Sequence, residues 1–468
     1  MEGTMDRVAA EDMLMFVNAA ITSSGQREFH NSAQEQHLSL GFLHEYMIGN
    51  YRDLYAATLA LDINDHNAVL IAHRLLATPG EADLELRRLE GELIGRRLRL
   101  VAPQRVYRLF RGLRQSRVNN RRTRAIVRDW LAHRPDPAFD AVKYRSQFKH
   151  ALRHAHIEPT HDELGDFLFG GRTRYNTPIL ETWRRAHYEQ ASVYDLPYTV
   201  AEGFAAKHKI DRATFLERIA PMMTRVEQLR TQATAERNNV DTAVDLARMP
   251  LTRLASYALS LPLSERIDRR TELTGALRAA AARVAGRDAG RWGRVAAVLD
   301  DSFSTYGSGQ KRRRPLAVAL ACSFLFEALA DSYVPLWTSG RTDALLTYPY
   351  DVTPLGERVL DGLEHGPDRL LIVSDGWDNA PVGMAAEVLR VWRTRLDPRH
   401  KVSVVHLNPV YDADTFDVKR LGHVSTVGVR DAEDVPALVE FARFTEGRTG
   451  LAELRAHFDD RITRFKEG

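Results

Sequence analysis

The feature that most constrains the fold is a short acidic and hydroxyl-rich motif that directly follows an apolar run. Residues 294–299 have the composition of a buried strand, and the segment Asp-Asp-Ser-Phe-Ser follows at 300–304. In an extended loop, alternate side chains point the same way, so Asp300, Ser302 and Ser304 would present one carboxylate and two hydroxyls to one point. This all-oxygen ligand set of low charge predicts a site for Mg²⁺ or another divalent cation.

Two later segments place further oxygen donors in comparable positions. Thr353 precedes a helix predicted over 354–363, and Asp375 follows a second buried strand at 370–373. Asp-Gly after a strand is usually only a turn, but ligands of open α/β sheets bind beyond the carboxyl ends of the strands. The order of these segments resembles the von Willebrand factor A domain with its metal-ion-dependent adhesion site. The predicted metal ligands are therefore Asp300, Ser302, Ser304, Thr353 and Asp375.

The whole chain has the character of an ordinary intracellular protein. Its 468 residues are enough for two or more domains. It has no apolar run of membrane-spanning length, and its first residues lack the basic start and apolar core of a signal peptide. The single cysteine, Cys322, argues against an internal disulfide and a cysteine-rich zinc site. We therefore expect a cytoplasmic protein without a membrane partner.

The first 288 residues predict an all-α domain. Apolar residues recur at three- and four-residue spacing and predict a series of helices, which include 34–60 and 211–236. Short breaks such as Pro79-Gly80 have turn composition. An irregular array of HEAT-like helical hairpins is the simplest way to bury so many amphipathic helices. The small, polar segment 285–290 marks the boundary, so that residues 289–468 form a doubly wound α/β domain. Parallel strands are predicted at 294–299, 333–338, 369–374 and 401–407.

Basic residues are concentrated in the helical region. The net charge is +3, but residues 291–468 contain 23 basic and 26 acidic residues. Residues 86–134 contain 15 arginines, no lysine and three acidic residues. Solvated helix faces usually mix both signs, whereas arginine suits bidentate contacts with phosphate. This block and a second basic cluster at 143–156 favour RNA binding, and the candidate residues are Arg108, Arg111, Arg121, Arg122, Arg124, Lys143, Arg145, Lys149, Arg153 and His156.

Three stretches resemble the Ro autoantigen family, the TROVE-domain ribonucleoproteins. Lys149–Pro159 is similar to an RNA-binding helix of that family, and Met249–Leu254 is similar to its Met-Pro-Leu-Thr-Ala-Leu segment. The third stretch is the metal-site set, with Asp331–Val334 placed where the second strand of the A domain begins. The resemblance spans most of the chain from about residue 90 onward.

The resemblance implies a ring of helical repeats clasped by the A domain. Single-stranded 3′ ends of misfolded noncoding RNAs would enter the ring, and Y-like RNAs would bind its outer surface. Arg153 and His156 match the RNA-binding motif, with Lys149 beside them, whereas His154 and Glu158 depart from it. The implied protein is a non-catalytic monomer in RNA quality control, or an RNA-tethered adaptor. A nuclease or another protein would be a further partner, bound through the A domain.

Two other classes of function compete with this interpretation. The first is a protein-interaction scaffold, in which the metal of the A domain captures a carboxylate of the partner. The arginine block argues against it, because a scaffold needs no such charge. The second is an enzyme, but the sequence contains no Gly-x-Ser-x-Gly, His-Glu-x-x-His or P-loop pattern. The segment Gly307–Lys311 is glycine-rich but has the wrong spacing for a P-loop.

Overall fold

A computed structural model describes residues 2–159, 162–237, 245–422, 424–442, 444 and 451–467. The chain forms two compact units. The first, here called the α/β unit, consists of Met1–Asn67 together with Asp245–Gly468, and the second, the helical unit, is Ala68–Val244. The boundary that the sequence suggests at 288/289 corresponds to a change in secondary structure, because the first strand begins at Arg294. As a domain boundary it stays a prediction.

The chain begins with helices α1 (Glu2–Thr22), α2 (Ala33–Asn50) and α3 (Arg52–Ala57). The helices that follow, up to residue 237, are α4 (Asp65–Ala77), α5 (Leu84–Leu100), α6 (Pro103–Gln115), α7 (Arg121–Ala132), α8 (Pro137–Lys143), α9 (Arg145–Ala155), α10 (Asp162–Phe169), α11 (Pro178–Arg185), α12 (Tyr198–Lys207), α13 (Arg212–Ile219) and α14 (Arg225–Arg237). No strand precedes Arg294 among the residues described, which confirms the all-α prediction for this region.

Local chemistry fixes where these helices begin. Proline occupies the first position of α6, where its missing N–H costs nothing. The side chain of Asn120 accepts a hydrogen bond from the Thr123 N–H and so caps α7. Each of these helices then buries an apolar stripe, which for α6 is formed by Val106, Tyr107, Leu109, Phe110 and Leu113. Arg108 and Arg111 of α6 stay exposed on the opposite face.

The remaining elements build the α/β unit. They are α15 (Leu251–Ser260), α16 (Leu263–Asp268), α17 (Arg270–Ala285), β1 (Arg294–Leu299), α18 (Arg314–Leu329), β2 (Ser332–Trp337), α19 (Leu355–Glu364), β3 (Arg369–Val373), α20 (Met384–Val391), β4 (Ser403–Asn408), β5 (Tyr411–Asp412), β6 (Asp417–Val418), β7 (Ser425–Gly428), α21 (Val435–Ala442) and α22 (Leu451–Glu467). None of the helices that the structure describes has both the length and the apolar character required to cross a bilayer.

A five-stranded parallel sheet forms the centre of this unit, in the order β2-β1-β3-β4-β7. The four predicted strands are confirmed to within about two residues at each end. Strands β1, β3 and β4 are buried almost throughout, as expected when helices cover both faces of a parallel sheet. The parallel direction brings the carboxyl ends of β1 and β3 together, with Leu299 opposite Val373.

The N-terminal helix α1 packs against the sheet edge formed by β7. The Asn18 Nδ2 donates to Asp417 Oδ1 at 2.9 Å, and the Asn18 Oδ1 accepts the Gly428 N–H at 2.9 Å. A Cβ added at Gly428 would lie 2.7 Å from the Thr22 Cγ2 and 3.0 Å from the Asn18 carbonyl oxygen. The first helix therefore belongs to the α/β unit, and a glycine allows its close approach.

We expect Gly428→Ala to destabilise the protein by about 1–3 kcal/mol, because the new methyl group forces α1 away from β7. Chemical denaturation followed by circular dichroism would measure this change. The matched control is Gly49→Ala in α2, where an added Cβ meets no atom within 4 Å other than those of its chain neighbours and its own helix backbone. An equal stability of both variants would contradict the close packing of α1 on β7.

Candidate functional site

Three loops meet at the carboxyl edge of the sheet and are hydrogen-bonded to one another. The first follows β1 and contains Asp300, the second precedes α19 and contains Thr353, and the third follows β3 and contains Asp375. The first and third are joined where Ser374 Oγ donates to Asp300 Oδ2 at 2.9 Å. The first and second are joined where the Phe303 N–H donates to the Asp351 carbonyl at 3.0 Å. The second and third are joined where the Thr353 N–H donates to Asn379 Oδ1 at 2.8 Å. The structure thus brings all three segments that carry the predicted ligands to one edge.

The first loop is tighter than the extended conformation that the sequence suggested. The Asp300 Oδ1 accepts the Ser302 N–H at 2.9 Å, which forms a turn, and a 3-10 helix follows at Phe303–Tyr306. The hydroxyl oxygens of Ser302 and Ser304 still lie only 3.3 Å apart. Side-chain hydrogen bonding to the backbone, rather than strand-like alternation, therefore places these two hydroxyls together.

Two buried carboxylates dominate the electrostatics of this edge. Asp300 and Asp375 are 1% and 3% exposed. Burial, followed by the negative charge of Asp375, raises the pKa of Asp300 to about 7. Neighbouring buried carboxylates favour either a proton or a cation between them. A divalent cation would offset the repulsion between these two buried carboxylates, so the residues fit such an ion.

Hydroxyl donors are required if an ion binds here. Within the described ranges, no group of three or more His, Cys, Asp or Glu side chains is arranged to hold a metal. The predicted ligands Ser302 and Thr353 are buried, and Ser304 is half-buried. Asp301 is not available, because it accepts hydrogen bonds from Thr338 and Ser339 and pairs with Arg341 at 3.1 Å.

Sequence reasoning missed His30 at this site. Its Nε2 lies 3.4 Å from Asp375 Oδ2, although 345 residues separate the two positions along the chain. The second oxygen of Asp375, Oδ1, accepts the Trp377 N–H at 3.0 Å. No local pattern marks His30, because its place depends on how the N-terminal segment packs against the sheet. Ser374 and Asn379, which join the loops, were also missed.

A separate candidate site lies on the helical unit, where α6 and α7 both pack against α9. Arg108, Arg111 and Arg121 are exposed and Arg124 is half-buried. None of these four makes an ion pair with the part of the chain that the structure describes. An arginine whose charge is not neutralised internally can contact an external anion without first breaking a salt bridge.

The α9 helix carries a group of cations around one aromatic ring. The Lys149 Nζ and the Arg153 guanidinium lie 5.1 and 5.0 Å from the centre of the Phe169 ring, which is 40% exposed. The Arg114 guanidinium approaches His150 Nδ1 at 2.6 Å. Burial and then the charges of Arg114, Arg153 and Lys149 lower the pKa of His150. Phe169 and Arg114 were not among the predicted binding residues, because each becomes part of the group only through helix packing.

Other predicted RNA-binding residues are engaged within the fold. The Arg122 guanidinium pairs with the buried Glu90 at 2.8 Å, and the Lys143 ammonium lies 3.8 Å from a Glu227 oxygen. The Arg145 guanidinium donates to a backbone carbonyl and lies over the rings of Phe167 and Trp183. These contacts show that the three residues stabilise helix packing.

His156, the last predicted residue, is exposed at the end of α9. It adopts a left-handed backbone conformation with φ of 53°, which an alanine adopts less readily than the wild-type residue. His156 therefore has a capping role whether or not it also contacts RNA.

Comparisons with known proteins identify the type of fold. No family model matches this sequence, and no curated protein matches it. Among solved structures, the chain is similar to the crystal structure of the Ro (RSR) protein of Deinococcus radiodurans, with a TM-score of 0.58 and 14% sequence identity. The similarity covers 94% of this chain and 100% of the Ro chain. The predicted Ro-like fold, a helical region followed by an A-type α/β domain, is thereby confirmed.

Proposed function

We propose that this chain is a non-catalytic RNA-binding protein that recognises noncoding RNA with a single-stranded 3′ end. The observation that carries the proposal is the group formed by Lys149, Arg153 and Phe169. The same unit also contains four arginines without an ion pair among the described residues, namely Arg108, Arg111, Arg121 and Arg124. Cations of this density contact phosphates and release counterions. The similarity of the fold to the Ro protein supports the same proposal.

The exposed Phe169 ring favours an unpaired strand over a duplex. Bases of single-stranded RNA stack on aromatic side chains, whereas the bases of an A-form duplex are stacked on one another and their faces are inaccessible. The Lys149 and Arg153 cations lie over this ring, and when a base takes their place on the ring they can contact the phosphates that flank it. The cluster can therefore contact both the charged backbone and an exposed base of single-stranded RNA.

A gel-shift titration tests this function with two RNAs of equal length, one a hairpin with a single-stranded 3′ tail and the other fully duplex. We expect tighter binding of the tailed RNA, with an affinity that falls steeply between about 50 and 200 mM salt. The absence of binding at low salt would end the RNA proposal. Equal affinity for both RNAs would remove the preference for a single-stranded end.

We further propose that Asp300, Ser302, Ser304, Thr353 and Asp375 hold Mg²⁺ or another divalent cation. Bound there, the ion would supply a positive charge to which a carboxylate of a protein partner, such as a nuclease, can bind. Phe303, Tyr350 and Trp377 belong to the same three loops and are 59%, 50% and 36% exposed. Exposed aromatic side chains are enriched at protein interfaces, and this rim favours the scaffold function as a second candidate.

A further inference from the structure

The segment Arg27–His30, here called the N-terminal arm, lies between α1 and α2 and reaches the metal-site loops. Its backbone is fixed at two points: the Arg27 N–H donates to Gln310 Oε1 at 2.9 Å, and Ser308 Oγ donates to the Arg27 carbonyl at 2.6 Å. Both partners lie in the loop between β1 and α18. The arm is therefore held next to the Asp300 motif by backbone contacts that do not depend on its side chains.

An internal ion pair specifies the position of the arm further. Glu28 is 2% exposed at its side chain and pairs with Lys311, whose side chain is 12% exposed. A buried carboxylate is costly unless a cation and hydrogen bonds compensate it. Any displacement of the arm would leave Glu28 without this partner, so the observed position is strongly favoured over alternatives.

Aromatic contacts then orient the imidazole of His30. Its ring stacks on Trp377 with the centroids 4.5 Å apart and an interplanar angle of 27°. The Lys419 Nζ lies 3.1 Å from the centre of the same indole, and Phe29 meets Phe303 edge to face at 5.9 Å. These contacts direct His30 Nε2 to Asp375 Oδ2, at 3.4 Å.

We propose that His30 supplies a nitrogen ligand to the metal site and thereby favours Mn²⁺ over Mg²⁺. Neighbouring ligands of an octahedral ion with bonds of about 2.1 Å lie about 3.0 Å apart, close to the observed distance between His30 and Asp375. Mn²⁺ shares the preference of Mg²⁺ for carboxylate, hydroxyl and water oxygens, but as a first-row transition-metal ion it binds an imidazole nitrogen more readily than Mg²⁺ does. The inference rests on the proposed metal site, and it replaces an all-oxygen ligand set by a mixed one. Because His30, Asp300 and Asp375 are not arranged as three direct ligands, one of the two carboxylates would hold the ion through a water molecule.

A second histidine near this edge does not serve the same purpose. His406 is fully buried, with Nε2 at 3.0 Å from the Ser374 carbonyl and Nδ1 at 3.2 Å from Thr426 Oγ1. Both of its ring nitrogens therefore have protein partners. The side chain of His30 retains 26% of its surface exposed, and its Nε2 faces the site.

Pulsed electron paramagnetic resonance of Mn²⁺ bound to the full chain tests the inference directly, because a coordinated imidazole modulates the electron spin echo through its nitrogen nucleus. We expect this modulation in the wild type and in the control His365→Gln, an exposed residue at the opposite edge of the sheet. It should disappear in His30→Gln. Its absence from the wild type, or its persistence in His30→Gln, would overturn the inference.

Calorimetric titration with Mn²⁺ and with Mg²⁺ separates this inference from the proposal on which it rests. His30→Gln should weaken Mn²⁺ binding by about 10-fold or more and leave Mg²⁺ binding nearly unchanged. If the wild type binds neither ion, the proposed metal site itself fails. If it binds both and His30→Gln changes neither affinity, His30 only orients Asp375 and the nitrogen-ligand inference is wrong.

Discussion

Replacement of Lys149, Arg153 and Phe169 together by alanine is expected to weaken binding of a 3′-tailed RNA by about 100-fold at 100 mM salt. The variant removes two cations that bind phosphate and one ring that stacks on a base. The salt dependence should also become shallower, by roughly 0.7 in the logarithmic slope for each phosphate of a single strand that the protein no longer neutralises. Gel-shift titrations at several salt concentrations would measure both quantities.

The matched control replaces three other exposed basic residues by alanine, Arg287, Arg291 and Arg399 in the α/β unit. It removes more positive charge than the test variant but leaves the α9 group intact. His156 is left unchanged in the test variant because its left-handed conformation would strain an alanine. An equal decrease of affinity in the two variants would mean that the RNA responds only to net charge, which contradicts a defined site on α9.

The sheet could be predicted because β1 and β3 are continuous apolar runs after their first residue, as expected for strands buried on both faces. β4 is equally buried but contains the polar residues Ser403, His406 and Asn408, and its apolar residues Val404, Val405 and Leu407 identified it as a strand. β7 was missed because it is only four residues long and has the sequence Ser-Thr-Val-Gly, which shows no strong periodicity. Its place in the sheet depends on pairing with β4, an interaction between distant parts of the sequence.

Helix ends were harder to predict than helix existence. The sequence suggested one helix over 34–60, but the chain breaks at Tyr51, between α2 and α3. It also suggested one helix over 211–236, which the structure divides around Pro221, where a proline removes a backbone donor. The long helix α1 was not predicted, although it packs on the sheet.

Only those parts of the candidate sites that form local sequence motifs could be predicted. Asp300, Ser302 and Ser304 form one short motif, and strand order places Asp375 beside it. His30 comes from the opposite end of the chain, and Phe169 meets Lys149 and Arg153 only after α9 and α10 have packed. Such contacts have no signature in sequence spacing, since tertiary packing alone creates them.

We expect Asp300→Asn to have opposite effects on stability without and with a divalent cation. Asparagine keeps the shape of aspartate and an oxygen that can accept the Ser302 N–H, but it removes a buried charge beside Asp375. In a chelator, the variant should therefore be more stable than the wild type by about 1–3 kcal/mol. Urea unfolding in the presence of a chelator would measure this difference.

Addition of Mg²⁺ should then reverse the order of the two proteins. An ion that binds only the folded wild type stabilises it by about 2.7 kcal/mol when its concentration is 100 times the dissociation constant. Asp300→Asn should gain almost no stability from Mg²⁺, because the variant lacks one of the two buried carboxylates that would bind the ion. The control Asp331→Asn, an exposed aspartate before β2, should respond to Mg²⁺ as the wild type does. If Mg²⁺ stabilised Asp300→Asn as much as the wild type, the ion would have to bind elsewhere. An ion that binds the Asp300 carboxylate cannot stabilise a variant from which that carboxylate is missing.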